Sequence, residues 1–166
     1  MCRDFQARER QKMQEPESAV LRFVHSRRTA PMVTAVKDLA GVTDAIVSRL
    51  AEKGVKDNEK LLEVAAGPTQ RKELAAACGC TTKDILELAN RADLARIKGV
   101  SGVYSDLLEE AGVDTVKELA TRRADKLHAK IKETNDAKKL TARPPTANAV
   151  EDWVKQAKEL PRVLTY

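Results

Sequence analysis

IKGVSGVYSDLLEEAGVDTVKEL, residues 97–119, reads as a helix-hairpin-helix. Gly99 and Gly102 bracket a tight G-V-S-G turn, because glycine reaches backbone angles closed to other residues. Val103, Leu107, Leu108 and Ala111 then recur at the spacing of one apolar helix face. Gly112 stands where a helix-ending C′ glycine would. Asp114 or Thr115 can cap a second helix that turns Val116 and Leu119 inward.

The same unit occurs earlier, in LAGVTDAIVSRLAEKGVKDNEKL from Leu39 to Leu61. A gapless shift of 58 positions lays Gly41 on Gly99, Val42 on Val100, Leu50 on Leu108, Glu52 on Glu110, Gly54 on Gly112, Val55 on Val113 and Leu61 on Leu119. Leu and Glu matches are cheap in helical sequence, but two Gly-Val pairs at one separation are not. The repeat implies two similar helical units with shared or abutting cores.

With 166 residues the chain is one compact domain or two small ones, long enough to bury a real core. Aromatic residues make up only 3%, so that core must be built from Leu, Val, Ile and Ala, which suits packed helices. Charged residues are 33% and the net charge is +5, which favours acidic partners without choosing among nucleic acid, protein and anionic lipid. No apolar run approaches the roughly 20 residues of a membrane span, and no signal peptide opens the sequence. Cys2, Cys78 and Cys80 form no disulfide framework, and C-G-C has no second ligand pair to complete a zinc site. The expectation is free thiols in a reducing, cytoplasmic compartment.

Residues 1–33 read as a basic extension or arm, in which Arg3, Arg8, Arg10 and Lys12 alternate with acids before a helix from Glu17 to about Arg28. A first unit follows over 34–94: a short helix Thr34–Leu39, the hairpin, a helix Asn58–Ala66, another from Thr69 to about Ala77, and one capped by Thr81 or Thr82. That last helix puts Ile85, Leu88, Ala89 and Ala92 on one face. A brief helical turn over Asp93–Ile97 leads into the second hairpin, which the second unit, 95–166, carries. It continues with a helix Ala124–Glu133, a stiff break at Arg143-Pro144-Pro145 and a last helix from Thr146. There Val150, Trp153, Val154 and Ala157 mirror the earlier face, so each repeat brings its own packing helix, and Trp153 reads as a core anchor. Strand-like alternation is absent, and the fold class expected is all-α: tandem helix-hairpin-helix repeats with packing helices.

From about Leu39 to Leu160 the chain resembles an uncharacterised, mainly bacterial family with paired helix-hairpin-helix motifs, a domain of unknown function. The matching phrases are ADLARIKGVSG (Ala92–Gly102), EEAGVDTVKEL (Glu109–Leu119), LHAKIKETN (Leu127–Asn135), KKLTARPP (Lys138–Pro145) and VEDWVKQAKEL (Val150–Leu160). The first hairpin departs from the pattern, with Asp44 at the position matching Gly102, and the sequence before Thr34 lies outside the resemblance. The likeness implies a fold and leaves function open.

Nucleic-acid-binding hairpins aim backbone N–H groups of such a turn at a phosphate, with Lys or Arg nearby. Lys98, Gly99, Ser101 and Gly102 make a candidate phosphate-binding turn, opposed by Asp106, Glu109, Glu110 and Asp114. The strongest basic segment follows it: Arg122, Arg123, Lys126 and Lys130, then Lys132, Lys138, Lys139 and Arg143, with His128 among them. Lys126 and Lys130 share a helix face that Arg122 or Arg123 extends, suited to an anionic polymer or an acidic filament, and no aromatics interleave for stacking on single strands. His25 and His128 lack nucleophile partners, and no nucleotide-, hydrolase- or zinc-protease signature is present.

The sequence therefore predicts a non-enzymatic, all-helical structural or adaptor subunit, without cofactor or metal, docking in a larger protein assembly of acidic surface, such as a cytoskeletal or axonemal one. Arg3, Arg8, Arg10, Lys12, Arg122, Arg123, Lys126 and Lys130 are its expected partner contacts. The alternative is a sequence-nonspecific nucleic-acid-binding protein that uses the hairpin turns and the basic patch.

Overall fold

Up to Gly112 glycines separate successive helices; beyond it caps and prolines do. The structure, a computed structural model, describes residues 32–39, 41–100 and 102–166. Among them the chain is all-α, with eight α-helices and no strand: α1 (Asp44–Glu52), α2 (Asn58–Val64), α3 (Pro68–Cys78), α4 (Thr82–Leu94), α5 (Val103–Glu110), α6 (Val116–Thr121), α7 (Ala124–Lys138) and α8 (Ala147–Glu159). The helix expected over Glu17–Arg28, and the arm residues Arg3, Arg8, Arg10 and Lys12, lie outside the described residues.

Caps explain the boundaries. Thr43, Asp57, Thr81, Thr115 and Thr146 each accept a first-turn N–H of the helix they precede. Of the alternative caps, Thr115 serves α6 and Thr81 serves α4. Gly112 leaves α5 with φ +82°, and its N–H bonds to the Glu109 carbonyl, as a C′ glycine does.

The first four helices and the last four pack in the same pattern. α4 lies against α2 and α3 as α8 lies against α6 and α7, and α1 meets α3 as α5 meets α7. Glycines 58 positions apart share left-handed backbone: Gly41 and Gly99 at φ +72° and +90°, Gly54 and Gly112 at +77° and +82°. α4 and α8 are both 13 residues long and offset by 65 positions, which lays the buried Ile85, Leu88, Ala89 and Ala92 on the buried Val150, Trp153, Val154 and Ala157.

Two apolar cores result. One joins Leu50, Leu61, Ile85 and Ala89; the other joins Ile97, Leu107, Leu108, Leu119, Ile131 and Trp153. Polar ties connect the two sets where α4 ends. Asp93 is buried there, accepts the Arg96 Nη1 donor at 2.7 Å and also accepts the N–H of Val116, first residue of α6, at 3.0 Å. Burial pushes its carboxyl above the usual range, against the pull of Arg96 and the Val116 N–H.

The structure differs from expectation in four places. Thr34–Leu39 is no helix beyond a 3-10 turn at Val36–Asp38, because the fully buried Asn58 claims its backbone. The Asn58 amide accepts the Thr34 N–H at 2.8 Å and donates to the Met32 carbonyl at 3.0 Å, while the Val36 N–H bonds to the Lys56 carbonyl at 2.9 Å. Helix α7 runs past Glu133 to Lys138, since Asn135 is buried and pairs twice with the Thr141 backbone, at 3.0 and 2.9 Å. Val103 faces solvent, 46% exposed, rather than sharing the inner face of Leu107 and Leu108. Finally, residues 161–166 return to the first core. Leu164 is 2% exposed within it, Arg71 Nη2 donates to the Thr165 carbonyl at 2.7 Å, and the Thr165 N–H bonds to the Ala66 carbonyl at 2.9 Å.

Candidate functional site: a basic face

Between α6 and α7 the chain turns on two extended residues, Arg122 (ψ 148°) and Arg123 (ψ 125°), which sets both guanidinium groups at one corner. Arg122 Nη2 donates to the Gly112 carbonyl at 2.7 Å, tying the corner to the end of α5. Arg123 forks onto Asp125 at 3.2 and 2.9 Å and, with the Lys126 N–H, holds that carboxyl below the usual range. One and two turns into α7 follow Lys126 and Lys130. The structure thus brings together Arg122, Arg123, Lys126 and Lys130, the four predicted from the second half, around one depression.

Helix α8 adds two more cations. Its packing on α6 and α7 places Lys155 and Lys158 beside the same two arginines, in a second depression floored by Val154. A third shares Lys158 and adds Lys117 of α6 and Arg162, over Ala120 and Leu160. The result is a band of eight exposed cations, with Asp125 and Glu151 among them. Among the described residues no carboxylate reaches within 4.0 Å of Lys117, Lys126, Lys155, Lys158 or Arg162, while Lys130 pairs with Glu133 at 3.0 Å. Lys155, Lys158 and Arg162 escaped sequence reasoning because they follow α7 across the proline-rich break, and Lys117 because only the packing of α8 on α6 brings it beside them. Only the inward face of Val150, Trp153 and Val154 signalled that α8 presents its lysines outward.

The candidate phosphate turn is built into the helix packing. The Lys98 N–H donates to Gln156 Oε1 of α8 at 2.9 Å. A Cβ on Gly99 would stand 3.1 Å from Trp153 Nε1, so glycine is needed for close approach as well as for its φ. Gly102 is the N-cap of α5 at φ +48°, and Ser101 lies outside the described residues. At the equivalent Gly41 a Cβ would meet the guanidinium of Arg91, which sits 65 positions before Gln156.

Behind the turn the field is negative. Arg91 reaches from α4 to α5, with Nη2 3.0 Å from Glu109 Oε2 and Nε 3.5 Å from Asp106 Oδ1. Burial raises Glu109 to about 7 against the pull of Arg91, with Asp106 and Asp114 adding to the rise. Burial also raises Asp114.

Cys78 is buried and Cys80 half-buried; both are free thiols, raised by burial. His128 is half-buried on α7, and His25 and Cys2 lie outside the described residues. Among the described residues no group of three or more His, Cys, Asp or Glu could hold a metal ion, and no helix is long and apolar enough to cross a membrane.

No curated protein and no solved structure matches the chain significantly. A family model does match it, over residues 40–160, nearly the span of the resemblance and most of the eight-helix body. The chain therefore belongs to the family described as a domain of unknown function, DUF4332.

Proposed function

We propose that the protein is a non-enzymatic structural or adaptor subunit whose two helix-hairpin-helix units form one body that docks through its basic face. The observation that carries this reading is the eight-cation band, assembled from α6, α7, α8 and the segment after it. The shared packing pattern and the paired glycine conformations support the motif assignment. The turns favour a protein partner over nucleic acid. The Lys98 N–H is already bonded and Gly99 abuts Trp153, so the turn's backbone is committed to packing on α8. The band itself is what favours the second reading, nonspecific nucleic-acid binding.

The test is co-sedimentation of the full chain with large assemblies from its own cells. Saturable binding that survives nuclease and is lost in a Lys126→Glu/Lys130→Glu/Lys158→Glu variant fits the docking role. Release by nuclease supports the nucleic-acid reading instead, and retention of the triple variant overturns the assignment of this face.

A further inference from the structure

We infer that the partner element seated on this face is an acidic, amphipathic polypeptide segment. The inference rests on the reading of the band as a docking surface and names the chemistry it accepts. The three depressions are neighbours that share bordering residues: Arg122 and Arg123 border the first and second, and Lys158 borders the second and third. Together they form a groove along the α6–α7 corner and the adjoining side of α8.

The groove has two chemistries. Its rim is cationic, from Lys126 at one end to Arg162 at the other. Its floor is apolar, through Ala120, Val154 and Leu160. Carboxylates answer the rim, and aliphatic side chains at helical spacing answer the floor. A phosphodiester backbone answers only the rim. Asp125 and Glu151 also line the second depression, where a polypeptide brings N–H donors and a phosphate chain brings acceptors alone. No aromatic side chain lines the three depressions, so unpaired bases find nothing to stack on. Shape, charge and apolar content thus select an acidic helix or strand with interspersed Leu, Ile or Val.

The experiment is a fluorescence-anisotropy titration of the full chain with three labelled probes: a peptide of repeating Glu and Leu at helical spacing, polyglutamate of equal charge, and a short DNA duplex. The amphipathic peptide is expected to bind at least about tenfold tighter than polyglutamate, and Lys155→Glu/Lys158→Glu to weaken it about tenfold or more. Leu160→Gln should narrow the gap between the two peptides while leaving polyglutamate unchanged, and matched melting curves verify that each variant folds. Equal binding of both peptides, tighter binding of the duplex, or indifference to the double charge reversal overturns the inference. If peptide binding fails while co-sedimentation persists, docking stands and this partner chemistry falls. If both fail, the docking reading falls with it.

Discussion

Gly99 and Gly54 separate two reasons for glycine. Both have positive φ, but a Cβ at Gly54 would meet nothing within 4 Å, whereas at Gly99 it would press on Trp153. Gly54→Ala should therefore cost only backbone strain, about 1 kcal/mol or roughly 3 °C in Tm, and Gly99→Ala about twice that or more. Thermal melts of the two variants decide it, and equal losses would remove the case for close packing of the turn on α8. Glu109 sets a second residue-scale expectation. Its folded pKa of about 7 lies above the ordinary 4.5, so its contribution to stability is full below about pH 4.5 and fades as pH rises through 7. The chain should be more stable at pH 5 than at pH 8, by about 2 kcal/mol from this group after allowance for partial solvation. Glu109→Gln, which keeps an oxygen for Arg91, should flatten that slope in urea melts across the range.

At the scale of elements, local signals were readable and long-range ones were not. Paired Gly-Val steps and Thr caps fixed where most helices begin and end, because those are contacts between near neighbours in sequence. The phase of a short helix is another matter. Leu107 and Leu108 point inward on an eight-residue helix, but Val103 at its first position does not, and two turns of periodicity cannot settle an end residue. The basic face was half legible, as Arg122–Lys130, since its other half depends on where α8 packs. Nothing local marked the strap over 161–166. Its anchor is Leu164, and Arg71 binds it across 94 positions of sequence. Leu164→Ala should cost about 3 kcal/mol and raise amide exchange in α2 and α3 well before α6. Uniform exchange changes across both helix sets would show that the strap serves the whole body alike.

At the scale of the whole molecule a paired charged joint stands apart from the basic face. Arg91 ties α4 to α5 through Asp106 and Glu109, and Asp93 ties it to α6 through the Val116 N–H. On the α6–α8 side basic residues outnumber acidic ones, which gives that side a directional field. Whether this side makes the contact is read by zero-length carboxyl-to-amine cross-linking of the full chain in its native assembly, with mass spectrometry. Cross-links from partner Asp or Glu should concentrate on Lys126, Lys130, Lys155 and Lys158. Cross-links concentrated instead on Lys53, Lys56, Lys60 and Lys72 of the first helix set would contradict docking on this side.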